Sequence, residues 1–100
     1  MATKFSALMR EIEAEAKAEG PEAVKELDAL RARFRLGRRI AEARLARDLT
    51  QKQVAKIAGI DQVDVSSIER GAANPTLNTL SALVSAVGMA IDLRKSRRAR

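Results

Sequence analysis

The sequence predicts an all-α fold, and three features predict it. Ala, Leu and Arg are abundant while aromatics make up 2% of the chain, Phe5 and Phe34 alone, a composition that favours helices. Apolar residues recur three and four apart over long stretches, the spacing of one helical face. Gly and Pro stand between those stretches and punctuate them. With 46% hydrophobic residues among 100, the chain can build one small aliphatic core and an arm.

The first predicted helix, Lys4 to Glu19, carries one apolar stripe: Phe5, Leu8, Met9, Ile12 and Ala16. Gly20-Pro21 stops it and starts the next, since Gly suits the residue after a helix and Pro the first turn of one. The second helix has Val24, Leu27, Leu30 and Phe34 on one side. It ends near Phe34 or runs on through Leu36, because Gly37 costs a helix about 1 kcal/mol relative to Ala without forbidding it. A third helix, Leu36 to Leu49, aligns Leu36, Ile40, Ala43 and Leu45. Three short helices follow, Thr50 to Ala58, Asp61 to Arg70 and Thr76 to Val87. Beyond Gly88 the period changes to two: Met89, Ile91 and Leu93 alternate with Ala90, Asp92 and Arg94, the pattern of a short strand in need of a partner.

Composition narrows the chemistry. There is no Cys and no His, so disulfides, thiolate metal sites and the usual general base are all missing. No arrangement of Ser, Lys or carboxylates points to catalysis, and neither a metal nor a cofactor is expected. No apolar run approaches the ~20 residues that span a bilayer, and Lys4, Ser6 and Arg10 interrupt the start, so it does not read as a signal peptide. A cytoplasmic location is the default expectation. The net charge of +6 is uneven: residues 1–34 hold six basic and seven acidic side chains, and residues 35–100 hold thirteen and six. A basic body of this kind suits a polyanion.

The densest signal lies between Thr50 and Gly71. Thr50-Gln51-Lys52-Gln53 is a capping-box pattern, which fixes a helix start and sets Gln51 beside exposed backbone N–H groups that attract phosphate. Two helices crossing steeply need a small residue at the contact, here Ala55, and a turn tolerant of positive φ, here Gly59. Val65 and Ile68, three apart, bury the second helix; Ile60 plugs the turn and Asp61 is placed to cap. The outward positions are then Gln62, Val63, Asp64, Ser66 and Ser67, short and mostly polar, as on a helix that enters the major groove.

Leu49-Thr50-Gln51 through Ile68-Glu69-Arg70-Gly71, followed by Asn74-Pro75-Thr76-Leu77, resembles the Xre family of phage-repressor-like DNA-binding domains. The resemblance covers about Leu36 to Gly88 and implies a five-helix repressor-like helix-turn-helix bundle. With the strand pattern and the basic end of the chain, this divides the sequence into a helical N-terminal extension (1–35), the helix-turn-helix domain (36–88), a short strand (89–94) and a basic disordered tail (95–100). At matching positions the resemblance implies that Gln51 meets a phosphate, that Gln62 and Val63 face base edges, and that Ser67 sits one turn further along. It implies that Asn74, Thr76 and Asn78 hold the DNA backbone, and it adds Thr50, Asp64 and Arg70 to the DNA-facing set. Arg44 and Glu69 match a structural ion pair. Two positions depart from the family. Asp64 stands where a small hydroxyl residue is usual, and Ala72-Ala73 replace basic loop residues; both weaken a lone reader and favour a homodimer.

The layout is also similar to antitoxins of the host-inhibition-of-growth (HigA) type, with an acidic helical extension before the Xre domain. That resemblance implies a type II toxin–antitoxin pair that represses its own operon. The partner would be a small basic mRNA-cleaving ribonuclease toxin, contacting Phe5, Leu8, Met9 and Ile12. The alternative is an autonomous Xre repressor whose arm completes its own core or dimer.

Overall fold

The computed structural model describes residues 3–97. It holds five helices: α1 (Lys4–Glu19), α2 (Pro21–Ala46), α3 (Gln51–Ala58), α4 (Gln62–Glu69) and α5 (Leu77–Ala86). Thr3 caps α1 by accepting from the Ser6 N–H at 3.0 Å, and Gly20 closes it at φ 119° with its N–H on the Ala16 carbonyl. Pro21 then opens α2, which folds back along α1, and the Glu13 carboxylate receives the Arg31 guanidinium.

The largest difference from the sequence expectation is that α2 does not break. The second and third predicted helices form one helix of 26 residues, and the boundary expected at 35/36 falls in its middle. Gly37 explains why. It is buried where α2 crosses the end of α4, and a Cβ there would stand 2.6 Å from the Glu69 carbonyl oxygen and closer still to that of Ile68. Glycine is present to let two backbones touch, and the helix runs through it. The same crossing corrects the register of the buried face. Leu36 and Leu45 are exposed at 39% and 61%. Ile40 and Ala43 do pack into the core as expected, and the face turned inward is completed by Gly37 and Arg44, a set spaced three and four apart.

The core gathers Ile40 from α2, Val54 and Ala55 from α3, Val65 and Ile68 from α4, and Leu83, Val84 and Val87 from the end of the chain. Leu49, Ile60 and Leu80 pack around it. Burying each Val or Leu of this set contributes about 1.5–3 kcal/mol. The second correction concerns the C-terminus. Residues 89–94 form no strand among the described residues, because one copy of the chain offers this segment no edge to pair with. The expected tail at 95–100 has no regular structure through residue 97, and residues 98–100 lie outside the described set.

Candidate nucleic-acid interface

α3 and α4 are set against each other by local chemistry. The capping box at the head of α3 is complete: Thr50 Oγ1 accepts from the Gln53 N–H at 3.0 Å, and Gln53 Oε1 accepts from the Thr50 N–H at 2.8 Å. Ala55 lies buried at the α3–α4 contact, and Gly59 ends α3 in the left-handed region at φ 72°, ψ 32°, a conformation that costs glycine nothing. Asp61 occupies the N-cap position of α4 with extended backbone, but its side chain makes no capping bond. The expected cap is therefore one of position alone.

A polar clamp fixes the pair to α2. Arg44 Nε donates to Glu69 Oε2 at 2.7 Å and Nη2 donates to Oε1 at 3.0 Å, with the two side chains only 12% and 6% exposed. Arg44 Nη1 donates to the Leu49 carbonyl at 2.8 Å, which pins the turn where Asp48 takes a positive φ of 55°. Gln51 Nε2 donates to Glu69 Oε1 at 3.1 Å. Sequence reasoning found the ion pair and missed the other two bonds. The signal for one was present, since Leu49 is the last residue of the turn that Arg44 spans.

The side of α4 away from this clamp faces solvent. Gln62, Val63 and Asp64 are exposed, Val63 at 73%. Ser67 is half-buried one turn on. Arg70 is exposed at the end of the helix, with its Nε on the Ser66 carbonyl at 3.3 Å. Asn74 and Asn78 are exposed. Thr76 caps α5, accepting from the Thr79 N–H at 3.2 Å and donating to Thr79 Oγ1 at 3.0 Å. Thr50 and Thr76 thus spend their hydroxyls on helix starts, and Gln51 keeps its second amide N–H for another acceptor. Of the arm residues, Phe5 and Leu8 are exposed while Met9 and Ile12 are half-buried. Among the described residues no cluster of acidic side chains could hold a metal ion, and no helix is long and apolar enough to cross a membrane.

Two short helices joined by a left-handed glycine, the second presenting an exposed face and clamped from behind, define a protein of the helix-turn-helix class. Comparison with known families agrees. Residues 40–93 match the helix-turn-helix family, and the chain belongs to it, with an Xre-like domain. It is 48% identical over 56 residues to "Putative antitoxin HigA2" of Mycobacterium tuberculosis (strain ATCC 25618 / H37Rv), an alignment covering 55% of each chain. It is 39% identical over 57 residues to the immunity repressor protein of Bacillus phage phi105, covering 57% of this chain and 40% of that one. The match therefore spans about half the length of these two relatives. The crystal structure of the restriction-modification controller protein C.AhdI from Aeromonas hydrophila superposes with a TM-score of 0.56 at 31% identity, over 58% of this chain and 88% of that one.

Proposed function

We propose that the chain is a sequence-specific, operator-binding repressor that acts as a homodimer, and that it serves as the antitoxin of a type II pair. The observation that carries DNA reading is the free front of α4, where Gln62, Val63 and Asp64 stand exposed on a helix whose other side is buried at Val65 and Ile68. In this reading Gln62 pairs with an adenine edge, Val63 meets a thymine methyl and Asp64 accepts from a cytosine amine. Ser67 reaches a base one turn on. Thr50, Gln51, Arg70, Asn74, Thr76 and Asn78 set the register against phosphates. An operator selected by the full chain from random duplexes provides the test. Gln62→Ala costs about 1–3 kcal/mol and relaxes one base position, whereas Gln51→Ala weakens all sequences alike. Identical selectivity profiles for the two variants overturn the assignment.

The similarity to HigA2 and the exposed apolar residues of the arm support the antitoxin role. The partner is a small basic ribonuclease toxin. The similarity to a phage immunity repressor supports the alternative, an autonomous repressor. Co-expression separates them. If the neighbouring reading frame arrests growth, this chain restores it, and Phe5→Glu with Leu8→Glu abolishes rescue while operator binding persists. A neighbouring frame without effect on growth leaves the autonomous repressor.

A further inference from the structure

The arm encloses a groove whose charge is opposite to its own. α1 lines it with Phe5, Met9 and Ile12, and α2 with Leu27, Leu30 and Phe34, around a volume of 650 Å³. Arg31, Arg35, Arg38 and Arg70 also line it, and no Asp or Glu does. Yet residues 1–34 carry seven acidic side chains. The acids have been sorted away: Glu11, Glu15, Glu19, Glu22, Glu26 and Asp28 are exposed elsewhere on α1 and α2, and Glu13 is held by Arg31. Arg35 and Arg70 have no carboxylate within salt-bridge distance among the described residues. Phe5 is 64% exposed, Leu30 47% and Phe34 54%, and all three line this one groove, so exposed apolar surface is gathered here and not scattered singly.

We infer that this groove docks an amphipathic helix of a partner protein, with apolar anchors on the floor and carboxylates against the arginines. Two helices side by side leave a furrow that a third helix fills by ridge-into-groove packing, with anchors at three- and four-residue spacing. The arginines choose the occupant by charge. A second copy of this chain fits poorly, because its free apolar segment, Met89 to Leu93, runs into Arg94, Lys95 and Arg97. Nucleic acid would meet the arginines but has no use for six apolar side chains. The inference rests on reading the arm as the partner-binding part. It narrows that reading: the docking helix is acidic even where its protein is basic overall. Arg70, Gly71 and Ala72 close one side of the groove, so the occupant touches the residues that directly follow α4.

The test uses the full chain and two synthetic helical peptides of about 16 residues, the length of α1. Both carry Leu at helical spacing; one is flanked by Glu and the other by Lys. Binding is followed by fluorescence anisotropy, and amide shifts of Phe5, Leu30 and Phe34 are followed by NMR. The Glu peptide binds at least about ten-fold tighter than the Lys peptide and shifts those amides. Arg35→Glu with Arg38→Glu, both exposed, reverses the preference, and the milder Arg35→Gln with Arg38→Gln erases it; circular dichroism confirms that each variant is folded. Equal binding of both peptides, tighter binding of the Lys peptide, binding of neither, or duplex DNA that itself shifts the Phe5, Leu30 and Phe34 amides overturns the inference. Self-association of the chain that blocks the Glu peptide overturns it in favour of a second copy. The toxin co-expression assay stands apart, so loss of the antitoxin role leaves the peptide result readable.

Discussion

Three hydrogen bonds end on the Glu69 carboxylate, two from Arg44 and one from Gln51, and Arg44 spends its remaining terminal nitrogen on the Leu49 carbonyl. One acid thereby holds the inner face of α2, the turn before α3 and the first residue of α3. At 12% and 6% exposure the pair is screened little by solvent. Its worth appears when one partner is removed, because the other is left charged in a place water barely reaches. Glu69→Ala is therefore expected to lower stability by about 3 kcal/mol, measured by urea denaturation. Glu69→Gln keeps acceptor geometry and costs less. If Glu69→Ala changes the unfolding midpoint no more than an exposed substitution such as Glu42→Ala, the clamp does not hold in solution. In the proposed reading Gln51 links this residue chemistry to DNA: its amide is oriented by donating to Glu69, so Glu69→Ala is expected also to weaken binding to all duplexes alike.

At the scale of elements, the crossing of α2 over the end of α4 decides where the recognition helix points. Two opposing effects meet at Gly37. Helix propensity alone favours Ala there by about 1 kcal/mol. The close approach to the Ile68 and Glu69 carbonyls makes any Cβ force the helices apart, an overpacking cost of about 1–3 kcal/mol or more, and backbone on the far side cannot swing away as a side chain can. The second effect wins, so Gly37→Ala lowers the melting temperature while leaving helix content in circular dichroism unchanged. A raised melting temperature refutes the crossing. Gly37 also shows what the sequence hides. Thr50, Gln53, Gly59, Val65 and Ile68 were legible because each signals within its own short stretch of chain, through capping, φ or periodicity. Gly37 reads as a weak point in a helix unless its partner 32 residues away is known. Leu36 and Leu45 drew the register towards themselves for the same reason: apolar side chains can be counted, while a buried glycine and a paired arginine cannot. The arginine-lined groove was beyond reading, since its wall comes from α1, α2 and the residues after α4 together.

For the whole molecule, the question is how one short reading helix achieves specificity. α4 has eight residues, and the loop after it carries Ala72 and Ala73 where a charge would add affinity. In the homodimer proposed above, the further affinity comes from a second copy on an adjacent half-site, about one helical turn of DNA away. The segment after α5 is the natural contact. Met89, Ile91 and Leu93 are apolar and exposed at 48%, 47% and 93%, close to the core through Val87 but only partly covered in a single copy. Joining two readers turns the second binding step into an intramolecular one, which raises affinity about 10²-fold or more without new DNA contacts. Ile91→Asp with Leu93→Asp is expected to convert the dimer to a monomer in sedimentation velocity, to leave the melting curve of the helical core nearly unchanged, and to weaken operator binding by about 10²-fold. Its footprint shrinks to one half-site. A variant that remains dimeric and keeps the full footprint places the dimer contact elsewhere. A wild-type chain that protects a single half-site as a monomer removes the dimer altogether, and α4 then carries specificity alone.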